Sequence, residues 1–172
     1  MSNGVAVLYI LSGLPGTGKS TLAAMLAAAT GAAHLRIDTI EQALRELCQL
    51  EVVDQGYRLA FALASEHLRG KLSVVADSCN PIDWSRRAWE QVAIDAGARY
   101  VNIELCCSDQ VEHRWRVEHR SSTVPGLRLP TWAEVLAREY HEWSSPRLQL
   151  DTAGRTPSAC LQTLLELLSS CG

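Results

Sequence analysis

The sequence lacks an excess of basic residues. Its 16 Lys and Arg residues are outnumbered by 19 Asp and Glu residues, and the formal net charge is -3. Proteins that hold a nucleic-acid backbone neutralise its phosphates with Lys and Arg side chains. The charge balance therefore excludes a global basic field and argues against nucleic acid as a partner.

Paired cysteines and membrane-spanning runs are also missing. The six cysteines are scattered without a CxxC pair, so neither a disulfide framework nor a zinc site is predicted, and reduced thiols are typical of the cytoplasm. Residues 5–11 are apolar, but no basic stretch precedes them as it would in a secretory signal. The uncharged stretches on either side of Lys19 are too short to span a bilayer. We expect a cytoplasmic protein without a membrane partner.

The sequence contains neither a domain linker nor a repeat of solenoid length. With 172 residues, of which 47% are hydrophobic and 20% are charged, it has the size and composition of one globular domain. Residues 1–172 are therefore predicted to form a single domain. The sequence leaves open whether this domain is a monomer or a homodimer.

Short apolar runs alternate with helical patterns along the chain. Strands are predicted over residues 5–11, 33–37, 72–76, 99–106 and 147–151. Helices are predicted over residues 20–29, 53–68, 109–120 and 131–143. Three further helices are predicted to begin at residues 39, 80 and 156. Capping boxes are expected where Thr39 precedes Gln42 and where Thr131 precedes Glu134, and Pro81 is suited to a first helical position. The alternation predicts a three-layer α/β fold with a five-stranded parallel sheet, whose ligands bind beyond the carboxyl ends of the strands.

Residues 13–20, GLPGTGKS, match the phosphate-loop pattern GxxxxGK[ST] between a predicted strand and a predicted helix. Glycines let several backbone N–H groups face one anion, and the helix that follows adds the positive end of its dipole. In such loops the lysine, here Lys19, reaches the β- and γ-phosphates of ATP, and the hydroxyl, here Ser20, binds Mg²⁺. A glycine-rich turn that binds nothing is the alternative. Nucleotide binding is assigned to Gly13, Pro15, Gly16, Thr17, Gly18, Lys19, Ser20 and Thr21.

Two aspartates follow predicted strands. Asp38 follows the second strand and Asp77 the third, so both are expected at the ligand-binding edge of the sheet. Asp77, after an apolar run, is suited to orient Mg²⁺ or its water, as a Walker B aspartate does. Asp38 could accept the proton of an attacking hydroxyl as a general base. Either aspartate could instead cap a helix, although Thr39 is the better cap beside Asp38.

Residues 108–147, named here the arginine-rich segment, combine helical patterns with many guanidinium groups. Its arginines are Arg114, Arg116, Arg120, Arg128, Arg138 and Arg147. Arg116 and Arg120 are four residues apart and share a helix face. We interpret the segment as a helical lid that closes over a nucleotide, although a solvated helix with i,i+4 ion pairs is the alternative. Val111 and Trp115 are expected on the buried face of this helix.

The chain resembles the small P-loop kinases with a helical lid, in particular the chloramphenicol phosphotransferase-like, zeta-toxin-like and polynucleotide 5′-hydroxyl kinase groups. The resemblance rests on GLPGTGKST (13–21), RIDTIEQAL (36–44), VVADSCNP (74–81) and EHRWRVEHR (112–120). It implies the strand order 2-3-1-4-5 and transfer of a phosphoryl group from ATP to a hydroxyl.

The same resemblance implies roles for individual residues. Asp38 matches the general base that acts on the acceptor hydroxyl, and Arg116 and Arg120, with Arg114 as a further candidate, match the phosphate-binding arginines of the lid. Polynucleotide kinases carry an arginine three positions after the base, where this chain has Glu41. That difference argues against a phosphorylated acceptor.

The charge of residues 38–66 points the same way. This stretch, expected to form the acceptor side, holds six acidic and two basic residues, a net charge of -4 that would repel a polyanion. We therefore expect a neutral or cationic small molecule as the hydroxyl acceptor. Two alternatives stay open: an NTP-driven switch without an acceptor, and a nucleoside monophosphate kinase that would use Arg36, Arg45 and Arg58.

Overall fold

The computed structural model describes residues 5–170; the ends of the predicted domain, residues 1–4 and 171–172, lie outside the described residues. Its strands are β1 (Val7–Ser12), β2 (Ala33–Arg36), β3 (Val74–Asp77), β4 (Arg99–Cys106) and β5 (Leu148–Asp151). Its helices are α1 (Lys19–Thr30), α2 (Ile37–Leu47), α3 (Gln55–Arg69), α4 (Asp83–Asp95), α5 (Gln110–His119), α6 (Trp132–Leu136) and α7 (Pro157–Ser170). The strands pair in parallel in the order β2-β3-β1-β4-β5, which confirms the predicted fold class and strand order.

The sheet is covered by helices on both faces. Alternate side chains of a strand point to opposite faces, so β3 sends Val74 and Ala76 to one layer and Val75 to the other. The first layer packs against α3 and α4, where Phe61 meets Trp89 edge-on at 4.6 Å between ring centroids. The second layer packs against α1 and α7. The two apolar layers fix the sheet between the helices and leave the strand ends free to carry polar groups.

The carboxyl ends of three neighbouring strands meet at one edge of the sheet. In the strand register, Asp77 at the end of β3 lies beside Leu11 of β1 and beside Arg36 of β2. The phosphate-loop sequence follows β1 directly, and α2 follows β2 without a connecting loop. The sheet therefore brings the phosphate loop, Asp77 and the start of α2 to the same edge.

Two predicted helix starts are wrong. Helix α2 begins at Ile37 rather than at Thr39, so the Thr39–Gln42 capping box does not form and Asp38 lies in the first helical turn. Helix α4 begins at Asp83 rather than near Pro81. Asn80 explains the later start, because it has a φ of 44° and its side-chain amide donates to the carbonyl of Leu11 at 2.9 Å. A tertiary contact thus overrides a local preference.

The arginine-rich segment also differs from its prediction. Its second helix, α6, is only five residues long, although its Thr131–Glu134 capping box is confirmed. The buried face of α5 carries His113 and Val117. Val111 and Trp115, which were expected there, are 81% and 60% exposed.

Within residues 5–170, no helix has both the length and the apolar character that crossing a membrane requires.

Candidate active site

The phosphate loop connects β1 to α1 through three glycines with positive φ. At Gly13, with φ of 140°, a β-carbon would collide with the backbone carbonyl of Leu105. At Gly16, with φ of 88°, it would collide with Val117 of α5. Both positions therefore require glycine, because the backbone has a positive φ and a neighbouring atom leaves no space for a side chain. The loop needs no side chain to present its N–H groups.

Lys19 is 7% exposed and lies against the loop that precedes it. Its Nζ donates to the carbonyl of Leu14 at 2.9 Å, and Thr17 Oγ1 donates to the same carbonyl at 2.9 Å. An ammonium group carries three donors, so this single bond leaves two for a phosphate. The folded loop thus holds Lys19 close to where an anion would bind.

Asp77 is 3% exposed and is surrounded by polar groups. Ser20 Oγ donates to its Oδ1 at 3.2 Å, and its Oδ2 lies 3.3 Å from His34 Nε2 and 3.7 Å from Arg36 Nε. The sequence analysis did not single out His34, and it named Arg36 only as a residue that a nucleoside monophosphate kinase would use. Their two-residue spacing at the end of a strand places them on one face. They supply positive or hydrogen-bonding partners to a carboxylate that would otherwise be buried alone.

The Mg²⁺ that the P-loop fold implies can be tested against these residues. Hydroxyl and carboxylate oxygens are the hard ligands that Mg²⁺ prefers, and Ser20 and Asp77 already lie within hydrogen-bond distance. No group of three or more His, Cys, Asp or Glu side chains within residues 5–170 is placed to hold a metal by itself. The donor set therefore fits an ion that is also bound by phosphates, the usual arrangement for Mg²⁺.

Asp38 lines a cavity of 540 Å³ together with Lys19, Ser20 and Asp77. Its side chain is 54% exposed, and the nearest guanidinium nitrogen, on Arg36, is 4.0 Å from its Oδ2. Among the described residues its carboxylate accepts no hydrogen bond that would block it. The start of α2 therefore presents a carboxylate to the same space as the phosphate loop.

Arg116 borders the other end of the phosphate loop. Its guanidinium donates to the hydroxyl and the carbonyl of Thr152, both at 2.8 Å, and to Glu112 at 2.5 Å. It lines a 270 Å³ cleft together with Arg155, and also a 240 Å³ groove that runs over the phosphate loop. The structure thus places Arg116 beside the phosphate loop, where its guanidinium is already bound to Thr152 and Glu112.

Arg120 follows the last residue of α5 and lines both the groove and the 540 Å³ cavity. Its Nε is buried and has no hydrogen-bond partner among residues 5–170. Burial lowers the pKa of Arg120, as do the nearby guanidiniums of Arg36 and Arg138, whereas Cys79 and Asp38 raise it. These influences show that three guanidiniums and one carboxylate cluster at this point.

Arg114 is not brought to any of these three cavities. It lies two residues from Arg116, which on a helix places the two side chains on different faces. Its guanidinium pairs with Glu118 at 2.9 Å on the exposed side of α5. Arg114 therefore fits the alternative of a solvated helix with ion pairs. Arg116 also forms an ion pair, with Glu112, but it lies beside the phosphate loop.

Helix α5 is fixed to the phosphate loop by a histidine that the sequence analysis missed. His113 is buried, and its Nε2 donates to the carbonyl of Pro15 at 2.8 Å. Its ring meets Trp132 of α6 edge-on at 5.1 Å. One side chain therefore ties the loop to both helices of the arginine-rich segment.

Arg86 of α4 anchors the far end of the segment. This buried guanidinium donates to the carbonyls of His141 and Glu142 at 3.0 and 3.2 Å, and its carbon lies 4.1 Å from the ring centroid of Trp143. These bonds use the carbonyls of residues that belong to no helix, in keeping with the end of α6 at Leu136 rather than at residue 143.

A model of the P-loop family described as AAA domain matches residues 8–140. The chain belongs to this family. The matched residues run from β1 through the phosphate loop, Asp38 and Asp77 to the end of α6 and beyond. No curated protein matches the sequence significantly.

Solved structures with the same fold cover almost the whole AAA-domain chain. An APS kinase from Mycobacterium tuberculosis, in complex with AMPPNP and APS, is 18% identical with a TM-score of 0.70, over 95% of this chain and 98% of that one. A gluconokinase from Sinorhizobium meliloti is 19% identical with a TM-score of 0.62, over 98% of both chains. Kti12 from Chaetomium thermophilum, in complex with ADP-AlF3, is 20% identical with a TM-score of 0.69, over 95% and 97%. This AAA-domain protein therefore has the fold of small P-loop kinases.

Proposed function

We propose that this AAA-domain protein is an ATP-dependent phosphotransferase that moves the γ-phosphoryl group of ATP to a hydroxyl of a small molecule. The observation that carries the proposal is the single cavity shared by Asp38, Lys19, Ser20 and Asp77. A carboxylate that faces a phosphate loop across an open space is what a hydroxyl acceptor requires. Two of the similar structures are kinases by name, which supports the same activity.

In this proposal the nucleotide occupies the groove over the phosphate loop. Backbone N–H groups of residues 13–20 and the Lys19 ammonium bind the phosphates, and the base enters the 270 Å³ cleft between Arg116 and Arg155. Ser20 and Asp77 would hold Mg²⁺, which when bound neutralises charge on the β- and γ-phosphates.

The acceptor binds in the 540 Å³ cavity beneath the arginine-rich segment, which acts as the lid. Its hydroxyl oxygen forms a bond to the γ-phosphorus, and the bond from that phosphorus to the bridging oxygen of ADP breaks. The hydroxyl proton passes to Asp38, which orients the attacking oxygen. Lys19 stabilises the charge that develops on the transferring group.

Labelled ATP, Mg²⁺ and a mixed pool of hydroxyl compounds test the proposal directly. Wild-type protein should place label on one compound, and Lys19→Ala should abolish the transfer because the phosphates lose their cation. The matched control is Asp95→Asn, which changes an exposed aspartate at the end of α4, away from the cavity, and should leave transfer unchanged.

The alternative of an NTP-driven switch gives a different result in the same assay. Label would then appear only as free phosphate, at equal rates in wild type and Asp38→Asn. That outcome would overturn the phosphotransferase proposal and remove the catalytic role of Asp38.

A further inference from the structure

We propose that the acceptor carries an anionic group besides its reactive hydroxyl, and that Arg120 and Arg138 bind this group. The inference rests on the proposed phosphotransferase and identifies the chemical class of its acceptor. A phosphate, sulfate or carboxylate shares the required chemistry, since each offers two oxygens to a guanidinium.

The cavity that contains Asp38 is lined by more basic than acidic side chains. The basic ones are Lys19, Arg36, Arg45, Arg120, Arg128 and Arg138. The acidic ones are Asp38, Glu41 and Asp77, which leaves a formal excess of three positive charges. A neutral or cationic acceptor, expected from the acidic balance of residues 38–66, is at odds with this lining.

The charge of residues 38–66 differs from the charge of the cavity lining because four of the six acidic residues in that stretch are not lining residues. Glu46, Glu51, Asp54 and Glu66 do not line the cavity, whereas three of the arginines come from the distant arginine-rich segment. Closeness along the chain was a poor guide to closeness around the site.

Glu41 is the residue that argued most directly against a phosphorylated acceptor. Its carboxylate binds Arg45 at 2.9 Å, and its side chain packs so closely on Gly56 that a β-carbon there would collide with it. Burial raises the pKa of Glu41. Glu41 is therefore a paired, packed group that joins α2 to α3, and its charge does not stand free in the cavity.

The remaining guanidiniums differ in how well they are already paired. Arg128 binds Glu134 at 2.7 Å, and Arg36 binds Thr123 at 2.7 Å while facing Asp77. Arg120 and Arg138 form no ion pair within the part of the chain that the structure describes.

Arg120 in particular has a reason to bind an anion. Its Nε is buried and finds no partner in the described part of the chain, and a buried donor left unpaired is costly. An acceptor oxygen would satisfy it, and a guanidinium binds two oxygens of a phosphate or carboxylate at once. The cavity volume of 540 Å³ fits a small acceptor, because pockets for such ligands measure about 300–1,000 Å³.

The first test measures anion binding without any transfer. Protein saturated with AMPPNP and Mg²⁺, so that the phosphate loop is occupied, is titrated with inorganic phosphate, with sulfate and with acetate by calorimetry. We expect one site whose affinity falls roughly tenfold in Arg138→Gln, since a charge-assisted hydrogen bond is lost. Arg87→Gln is the matched control, because Arg87 is an exposed arginine of α4 that pairs with Asp83 outside the cavity. Equal affinities in wild type and Arg138→Gln would overturn the inference.

The second test measures transfer from labelled ATP to matched acceptors: glycerol, glycerate and glycerol 3-phosphate, and nucleosides with their 5′-monophosphates. We expect label on anionic members only, with Arg138→Gln raising KM and leaving kcat nearly unchanged. The preferred member distinguishes a carboxylate from a phosphate. Transfer to neutral members alone would overturn the anionic acceptor and leave the phosphotransferase intact. With no transfer to any compound the phosphotransferase would fall, and the anion titration alone would then decide the inference.

Discussion

The proposed nucleotide side and the proposed acceptor side of the site are built in different ways. On the nucleotide side, eight consecutive residues from Gly13 to Ser20 supply the loop, and its shape depends on glycines that contribute no side chain. On the acceptor side, Arg36, Asp38, Arg120 and Arg138 come from three parts of the chain. A local motif therefore specifies the first side, and only the tertiary fold specifies the second.

The difference extends to how each side is held. The phosphate loop is fixed by its own hydrogen bonds and by close contact with α5. The acceptor side depends on two remote anchors of the arginine-rich segment, His113 at one end and Arg86 at the other. We expect changes at the loop to abolish nucleotide binding, and changes at the Arg86 end to alter the acceptor side alone.

The largest effect is expected from Gly16→Ala, which breaks the nucleotide side without removing any functional group. The added β-carbon would meet Val117, and the positive φ of 88° disfavours alanine. AMPPNP binding measured by calorimetry should fall at least about 100-fold, because the loop and α5 cannot both keep their positions. Gly97→Ala is the control, since Gly97 also has a positive φ but open space around it. Wild-type AMPPNP affinity in Gly16→Ala would refute the close-packing argument.

Arg86→Met tests the anchor on the acceptor side. The change leaves the carbonyls of Asn80, His141 and Glu142 without their donor, which should lower the free energy of unfolding by about 2–4 kcal/mol. Urea denaturation measures the loss, and AMPPNP affinity of the folded variant should stay within twofold of wild type. Arg87→Met, at the neighbouring exposed position, should change stability by less than about 0.5 kcal/mol. Similar losses in the two variants would contradict the anchoring role.

A pH titration examines a second group that binds the end of the arginine-rich segment, the carboxylate of Glu104, which contacts Tyr140 and Arg147. Burial by itself would raise the pKa of Glu104, but hydrogen bonds from Arg147, Tyr140 and Gln149 outweigh burial and hold the pKa below its usual 4.5. The folded state thus favours the carboxylate, whose contribution is fully present above the usual pKa and is lost as pH falls through the lowered one. Glu104→Gln should flatten the decline of unfolding free energy below pH 4.5. An unchanged decline in Glu104→Gln would show that the cluster does not contribute.

The smallest effect is expected from Thr131→Ala, which removes the capping box of α6. Loss of the cap should lower the free energy of unfolding by about 1 kcal/mol, and Thr131→Ser should restore it. Thermal unfolding measures both variants. A stability equal to wild type in Thr131→Ala would show that this short helix does not depend on its cap.

The sequence predicted the fold, and it located the phosphate-loop motif, because the determinants of both are local. The period of apolar residues marks the strands and helices, and the phosphate-loop pattern needs only eight consecutive positions. The strand order came from the resemblance. Residues Asp38 and Asp77 were recognised because they follow strands, and parallel strands end at one edge.

Contacts between distant parts of the chain could not be predicted from local patterns. His34 and His113 act through contacts with Asp77 and Pro15 that are 43 and 98 residues away in the sequence. Trp115 was expected on the buried face of α5, yet that face carries His113 and Val117, and Trp115 is 60% exposed. The basic lining of the cavity could not be predicted for the same reason, since Arg120, Arg128 and Arg138 come from the distant arginine-rich segment.

The most direct test of the central claim compares two quantities in Asp38→Asn: the rate of γ-phosphoryl transfer to the acceptor in a single turnover, and the affinity for AMPPNP. The account predicts that transfer falls by about 10²- to 10⁴-fold, as expected when a general base is lost, while AMPPNP affinity stays within twofold of wild type. Transfer at the wild-type rate in Asp38→Asn would contradict the claim that the shared cavity is organised around this carboxylate.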